Sequence, residues 1–136
     1  MRIISFMNGV AVVGAVIFRD GKILAAKRSK GKTLAGFWEF PGGKVELGES
    51  PTEALSREVR EELDAEVEVV REIVTAVHEY DFATIELTTF QCKLKGEQVT
   101  NKEHEELKWI PVKDLDAEEW APADSSTINW IMSNLT

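Results

Sequence analysis

The chain has 136 residues, 43% of them hydrophobic, and a formal net charge of −8. That length buries a core without staples, and a single domain spanning 1–136 is expected. Without a basic patch or stripe the sequence excludes nucleic acid as a partner; its N-terminal apolar runs, broken at Asn8 and Gly9, are too short for a membrane span and lack a small-residue cleavage site, so no membrane partner and a cytoplasmic location are expected. The single cysteine, Cys92, forms no internal disulfide and suits a buried strand position.

Residues 10–19 are nearly continuous β-branched and apolar side chains, as in a buried strand, and the apolar stretch from the first methionine is read with them. Asp20-Gly21 is a turn signal, and residues 22–28 return as the second arm of a hairpin. Residues 29–36 form a polar loop, residues 37–40 a short aromatic segment, and Pro41-Gly42-Gly43 breaks any regular element. The clearest helix start follows: Ser50 caps, Pro51 takes the first helical position, and Glu53 completes a capping box. That helix runs to Leu63. Residues 66–80 and 84–94 read as strands joined near Asp81, and residues 107–112 as a short strand. Residues 123–135 read as a terminal helix with Ile128, Ile131, Met132 and Leu135 on one face. With no repeat or linker, this order predicts an α/β sandwich with a mixed sheet between helices.

On the first helix the acids share a face. With Glu58 at zero, Glu62 falls at about +40° and Glu61 at about −60°, while Leu55, Val59 and Leu63 fall at about +60°, +100° and +140°. The carboxylates thus border the apolar stripe. Like charges at i,i+3 and i,i+4 repel by a few tenths of a kcal/mol per pair, so a solvated salt-bridged face explains them poorly. Hard cations such as Mg²⁺ prefer carboxylate oxygens and keep waters, which suits a site shared with phosphates. An acidic chain can then take a polyanionic substrate, because bound metals become the largest local charges. Arg57, at about −100°, can bridge forward to Glu61 or back to Glu49; the pairing with the loop is favoured.

Residues 43–65, GKVELGESPTEALSREVREELDA, resemble the Nudix box, G-x5-E-x7-R-E-U-x-E-E-x-G-U with U aliphatic. Gly43, Glu49, Arg57, Glu58, Val59, Glu61 and Glu62 match at the required spacing. Asp64 departs from the usual glycine, which ends the helix in a left-handed conformation. The resemblance implies an α/β/α sandwich in which the box forms a loop–helix–loop, and Mg²⁺- or Mn²⁺-dependent hydrolysis of a nucleoside diphosphate linked to another moiety. It implies Glu58 and Glu62 as metal ligands, then Glu61, with the Gly42 carbonyl as a further ligand. Glu49 would orient Arg57 or assist the metal-bound water. A later loop would add Glu103, with Glu105 as fallback.

The resemblance extends to the MutT-like branch through FWEFPGGKVE at 37–46 and through Ala121-Pro122-Ala123-Asp124, where a proline-containing turn presents a residue to the base. MutT carries Asn at the position of Asp124; the branch that favours cytidine nucleotides carries Asp. A carboxylate accepts hydrogen bonds, and the cytosine N4 amino group donates, as do guanine and its 8-oxo form. With the resemblance to the cytidine branch, the expected substrate is CTP, dCTP or a modified cytidine, and the likeness to MutT-like enzymes implies a cut at the β phosphorus to monophosphate and pyrophosphate. The runner-up is 8-oxo-dGTP, and another nucleoside diphosphate derivative follows. Asp124 equally suits the N-cap of the last helix. Tyr80 and Phe82 are candidates to stack on the base or simply to pack, Phe40 to line the pocket, and Arg28 rather than Lys27 to meet phosphates or sugar. A small-molecule nucleotide is the expected partner, the protein itself being a monomer or a homodimer.

Overall fold

The computed structural model describes residues 9–135, so the part of the expected first strand that falls on residues 1–8 lies outside the described residues. In chain order the elements are β1 (Gly9–Arg19), β2 (Lys22–Lys27), β3 (Trp38–Glu39), β4 (Gly42–Lys44), α1 (Pro51–Leu63), β5 (Glu66–Glu79), β6 (Thr84–Lys95), β7 (Glu106–Pro111) and α2 (Ser125–Asn134). Short 3₁₀ turns connect β7 to α2.

β1 organises the sheet. It runs parallel to β6 from Gly9↔Thr84 to Ile17↔Cys92, while β5 lies antiparallel on the far side of β6. The hairpin with β2 is real but brief, covering Phe18↔Ile23 and Arg19↔Lys22. β2 then leaves to pair antiparallel with β7 and β3. The sheet is therefore mixed, as the element order predicts.

Alternation explains why β1 is apolar throughout. Successive strand residues point to opposite faces, and here both faces are covered. Val13, Ala15 and Ile17 join Leu55, Val59 and Leu63 of α1. Val16 joins Ile128 and Ile131 of α2 on the other side. Each such buried aliphatic side chain contributes roughly 1.5–3 kcal/mol, and together they fix α1 against the sheet. Cys92 is buried in the α1 layer, and burial pushes its thiol up to about 12.

Three readings need correction. Pro41-Gly42-Gly43 does not break the sheet: Gly42–Lys44 is β4, pairing with β1 through Val12↔Lys44, Val13↔Gly43 and Gly14↔Gly42. The long-range partner supplies what local propensity does not. The last helix begins at Ser125, since Pro122–Asp124 form a 3₁₀ turn. Met132 is 49% exposed while Ile128 and Ile131 are fully buried, because the helix leans on the sheet along a narrower stripe than its apolar face.

Ser50 accepts from Glu53 N at 3.2 Å and Glu53 Oε1 accepts from Ser50 N at 2.8 Å, so the capping box forms as read. At the other end Asp64 takes φ 49°, ψ 46°, the left-handed conformation that glycine adopts without cost. Replacing Asp64 with Gly is therefore expected to stabilise the fold by about 0.5–1 kcal/mol, measured by urea unfolding. A loss of stability would show that the Asp side chain itself holds the helix end.

Candidate active site

The loop between β4 and α1 is tied to the helix through Arg57. Its Nε donates to Glu49 Oε2 at 2.7 Å and its Nη2 to Glu49 Oε1 at 3.0 Å and to the Lys44 carbonyl at 3.0 Å. Nη1 reaches Glu61 Oε1 at 3.2 Å. Arg57 thus makes both pairings open to it, with the Glu49 pair the tighter. The guanidinium, with help from the Glu46 N–H, holds the Glu49 carboxyl down to about 2. So acidic a group is a weak base, and the arrangement makes Glu49 the partner of Arg57. Glu61 does not line the acidic cleft: its half-exposed carboxylate turns to Arg57 one helical turn back.

Glu58 and Glu62 do meet, in a cleft of about 150 Å³ completed by Gly42, Gly43, Glu103 and His104. Glycine is required at Gly42, where backbone approaches, and at Gly43 it leaves room for the Glu58 carboxylate. A Cβ on Gly43 would sit 2.3 Å from Glu58 Oε2, and one on Gly42 would sit 1.9 Å from the Val13 carbonyl oxygen. The Gly42 N–H points at Glu62 Oε1 from 3.4 Å. Burial above all raises the Glu58 carboxyl. It raises Glu62 further, to about 9, with Glu58, Glu39 and Glu103 adding repulsion.

Glu62 is buried and Glu58 partly so, and with Glu58 repelling Glu62 these acids need cations or protons. Among the described residues no group of three or more His, Cys, Asp or Glu side chains is arranged to hold a metal ion by itself. An open site fits Mg²⁺, which takes one or two carboxylates and completes its shell with water and substrate phosphates. The donors are hard oxygens, and Glu58 Oε2 is buried with no hydrogen-bond partner among the described residues. Glu103 stands at the same cleft, whereas Glu105 does not line it and is placed by its backbone N–H on the Lys27 carbonyl at 3.0 Å.

A second cavity, of about 290 Å³, adjoins the first; Arg28, Glu39, Gly42 and Gly43 line both. Its walls are mainly apolar, and Phe40, Tyr80, Phe82 and Asp124 all face it. Phe40 is braced by Trp120 at a ring separation of 4.5 Å. Tyr80 and Phe82 stack on each other at 5.0 Å, and the Tyr80 hydroxyl accepts from Ala123 N at 2.8 Å. Asp124 is 4% exposed and stands at the N-cap of α2 without a side-chain cap hydrogen bond, so its carboxyl is left to the cavity. Burial, reinforced by Glu39 and opposed by Arg28, holds that carboxyl well above the usual range. Arg28 is preset at the junction: Nε donates to the Thr33 carbonyl at 2.6 Å and Nη1 to Glu39 Oε1 at 2.9 Å. Lys27 instead lies over the Trp38 ring.

Two residues at the junction escape sequence reasoning. Glu39 stands between Trp38 and Phe40, an acid amid aromatics, and that oddity is the signal it leaves. His104 hides in an acidic run that reads as surface.

A family model described as the NUDIX domain matches residues 7–131. The chain is 37% identical over 127 residues to a CTP pyrophosphohydrolase of Escherichia coli, covering 93% of this chain and 94% of that protein. It is 30% identical over 126 residues to an 8-oxo-dGTP diphosphatase of Haemophilus influenzae, covering 89% of this chain and 90% of that one. Among solved structures, a MutT protein of the Nudix hydrolase family from methicillin-resistant Staphylococcus aureus superposes with a TM-score of 0.76 and 46% identity over 92% of this chain and 96% of that chain. No helix among the described residues is long and apolar enough to cross a membrane.

Without metal, the proton on Glu62 stabilises the fold fully below about pH 4.5, and this contribution is lost as pH rises toward about 9. In EDTA, Glu62→Gln is therefore expected to gain on the wild type in thermal stability across that window. Excess Mg²⁺ should stabilise the wild type more than the variant. Equal pH profiles for the two proteins would contradict the assignment of Glu62 as a buried, proton-holding carboxyl.

Proposed function

Because the chain belongs to the NUDIX domain family and is a Nudix hydrolase acting on nucleotides, we propose that its substrate is a cytidine triphosphate, CTP, dCTP or a modified form, cleaved to monophosphate and pyrophosphate. The observation that carries this reading is Asp124, buried at the wall of the apolar cavity with no cap hydrogen bond from its side chain. Its charged and titratable neighbours are Glu39 from β3, Arg28 after β2 and Tyr80 after β5. A carboxylic acid offers one O–H donor and one carbonyl acceptor. Cytosine offers the match, an N3 acceptor beside the N4 donor. An ionised carboxylate only accepts, which suits the two N–H donors of a guanine edge. Burial raises that carboxyl and so brings within reach the O–H form that matches the cytosine edge.

With the base on Asp124, Arg28 stands where the sugar or α-phosphate passes into the acidic cleft. Glu58 and Glu62, with Glu103, would hold the divalent cations. When bound there, Mg²⁺ or Mn²⁺ would offset the phosphate charge and acidify water. Glu49 and Arg57 hold the β4–α1 loop against the helix, and Glu61 braces Arg57 from outside the cleft. Water adds at the β phosphorus, the bond from that phosphorus to the α–β bridging oxygen breaks, and monophosphate and pyrophosphate leave.

Incubation with Mg²⁺ and CTP, dCTP, 5-methyl-dCTP, dGTP or 8-oxo-dGTP, read as pyrophosphate release, is expected to rank the cytidines first. The preference should narrow as pH rises and Asp124 ionises. An 8-oxo-dGTP preference at every pH would replace this reading with nucleotide-pool cleaning, and no pyrophosphate from any triphosphate would refute the substrate class. Asp124→Ala should raise KM for dCTP by roughly 10- to 100-fold, as for one lost base-edge pair. Glu58→Gln or Glu62→Gln should lower kcat by about 100-fold or more with the fold intact.

A further inference from the structure

The two cavities meet at Glu39, and a histidine joins that point to α1. The His104 side chain is 7% exposed, and its Nε2 lies 3.2 Å from Glu39 Oε2 and 3.4 Å from Glu62 Oε1. Glu39 is held on its other oxygen by Arg28. Nε2 lies within hydrogen-bond distance of Glu39 Oε2, and in its N–H tautomer it donates there. Across the ring, Nδ1 is buried with no hydrogen-bond partner among the described residues. Burying a ring nitrogen without a protein partner is costly, so space-filling alone is a poor reason for this placement.

The surrounding backbone holds the ring there. Asn101 clamps the residue from both sides, its Oδ1 accepting from His104 N at 2.9 Å and its Nδ2 donating to His104 O at 2.8 Å. Lys102 N donates to the Glu62 carbonyl at 3.1 Å, and Glu105 N to the Lys27 carbonyl at 3.0 Å. The loop is therefore fastened to the end of α1 and to the end of β2, with His104 between the two attachments. Ser29 Oγ donates to the Glu103 carbonyl at 3.3 Å, so the same fastening sets Glu103 at the cleft.

We infer that His104 is a positioning residue that orients the Glu62 carboxylate for a divalent cation and connects it, through Glu39 and Arg28, to the nucleoside cavity. A carboxylate repelled by Glu58 and Glu103 turns away unless a donor holds one of its oxygens. His104 Nε2 and the Gly42 N–H both stand 3.4 Å from Glu62 Oε1 and leave the second oxygen for the cation. Outer groups of this kind set ligand orientation and commonly govern metal affinity by 10- to 100-fold. The inference rests on the reading of Glu62 as a cation ligand.

The test is Mn²⁺ binding by the full chain without nucleotide, followed through the electron paramagnetic resonance signal of free Mn²⁺. His104→Leu removes the donor at similar bulk, His104→Gln returns an amide N–H near the place of Nε2, and Glu62→Gln removes the ligand. Affinity should fall about 10-fold or more in His104→Leu, stay within about threefold of wild type in His104→Gln, and fall at least as far in Glu62→Gln as in His104→Leu. A purely structural histidine would change the melting temperature of both His104 variants and leave the Mn²⁺ affinity of the folded protein alone. Folded His104→Leu with wild-type affinity, beside a weakened Glu62→Gln, overturns the role of His104 only. Wild-type affinity in Glu62→Gln overturns the ligand reading beneath it, and this inference with it. Should His104→Leu fail to fold, His104→Asn, whose amide stops short of the Nε2 position, is judged by the same criterion.

Discussion

The guanidinium of Arg57 takes both oxygens of Glu49, the Lys44 carbonyl and an oxygen of Glu61, and its Nη1 lies 3.5 Å from Glu58 Oε1. A loop rich in glycine and charge is thereby folded back onto the helix that follows it. The consequence reaches β4. With Lys44 held, Gly42 and Gly43 stay paired to β1 and stand against Glu58 and Glu62. One cation from the protein thus offsets part of the repulsion among the acids and also shapes the wall of the cleft they share.

That cleft and its neighbour divide the work by dielectric. Glu58 and Glu62 lie where water is scarce, so their charge is expensive until a cation or proton meets it. The larger cavity is mainly apolar, and its one buried acid, Asp124, is driven toward the neutral form that donates as well as accepts. Glu39 belongs to both arrangements. It raises Asp124 and Glu62 together and is itself balanced by Arg28 and touched by His104. Glu39 thus stands between the acidic cleft and the apolar cavity and acts on the buried acid of each.

Much of this was legible in the chain because it is local. The 3.6-residue period put Glu58 and Glu62 beside Leu55, Val59 and Leu63, and the spacing from Gly43 to Glu62 identified the loop and helix as a unit. The two-sided burial of β1 followed from its unbroken apolar run. What escaped depends on contacts distant in sequence. A Pro-Gly-Gly segment became a strand because β1 was there to pair with it. Met132 lies on the apolar face of its helix yet outside the contact. Glu61 sits on the acidic arc, but a salt bridge draws it off the cleft. Glu39 and His104 are 65 residues apart, so no local pattern joins them. Asp124 sat at a capping position and could be read two ways until the missing cap bond left its carboxyl to the cavity.

The most direct measurement is a crystal structure of the protein with Mn²⁺ and a non-hydrolysable cytidine triphosphate analogue, using the anomalous signal to place the metal. The predicted result is Mn²⁺ coordinated by Glu58 and Glu62, with the cytosine N3–N4 edge against Asp124. Mn²⁺ bound away from both glutamates, or a base lying outside the Asp124 cavity, would contradict it.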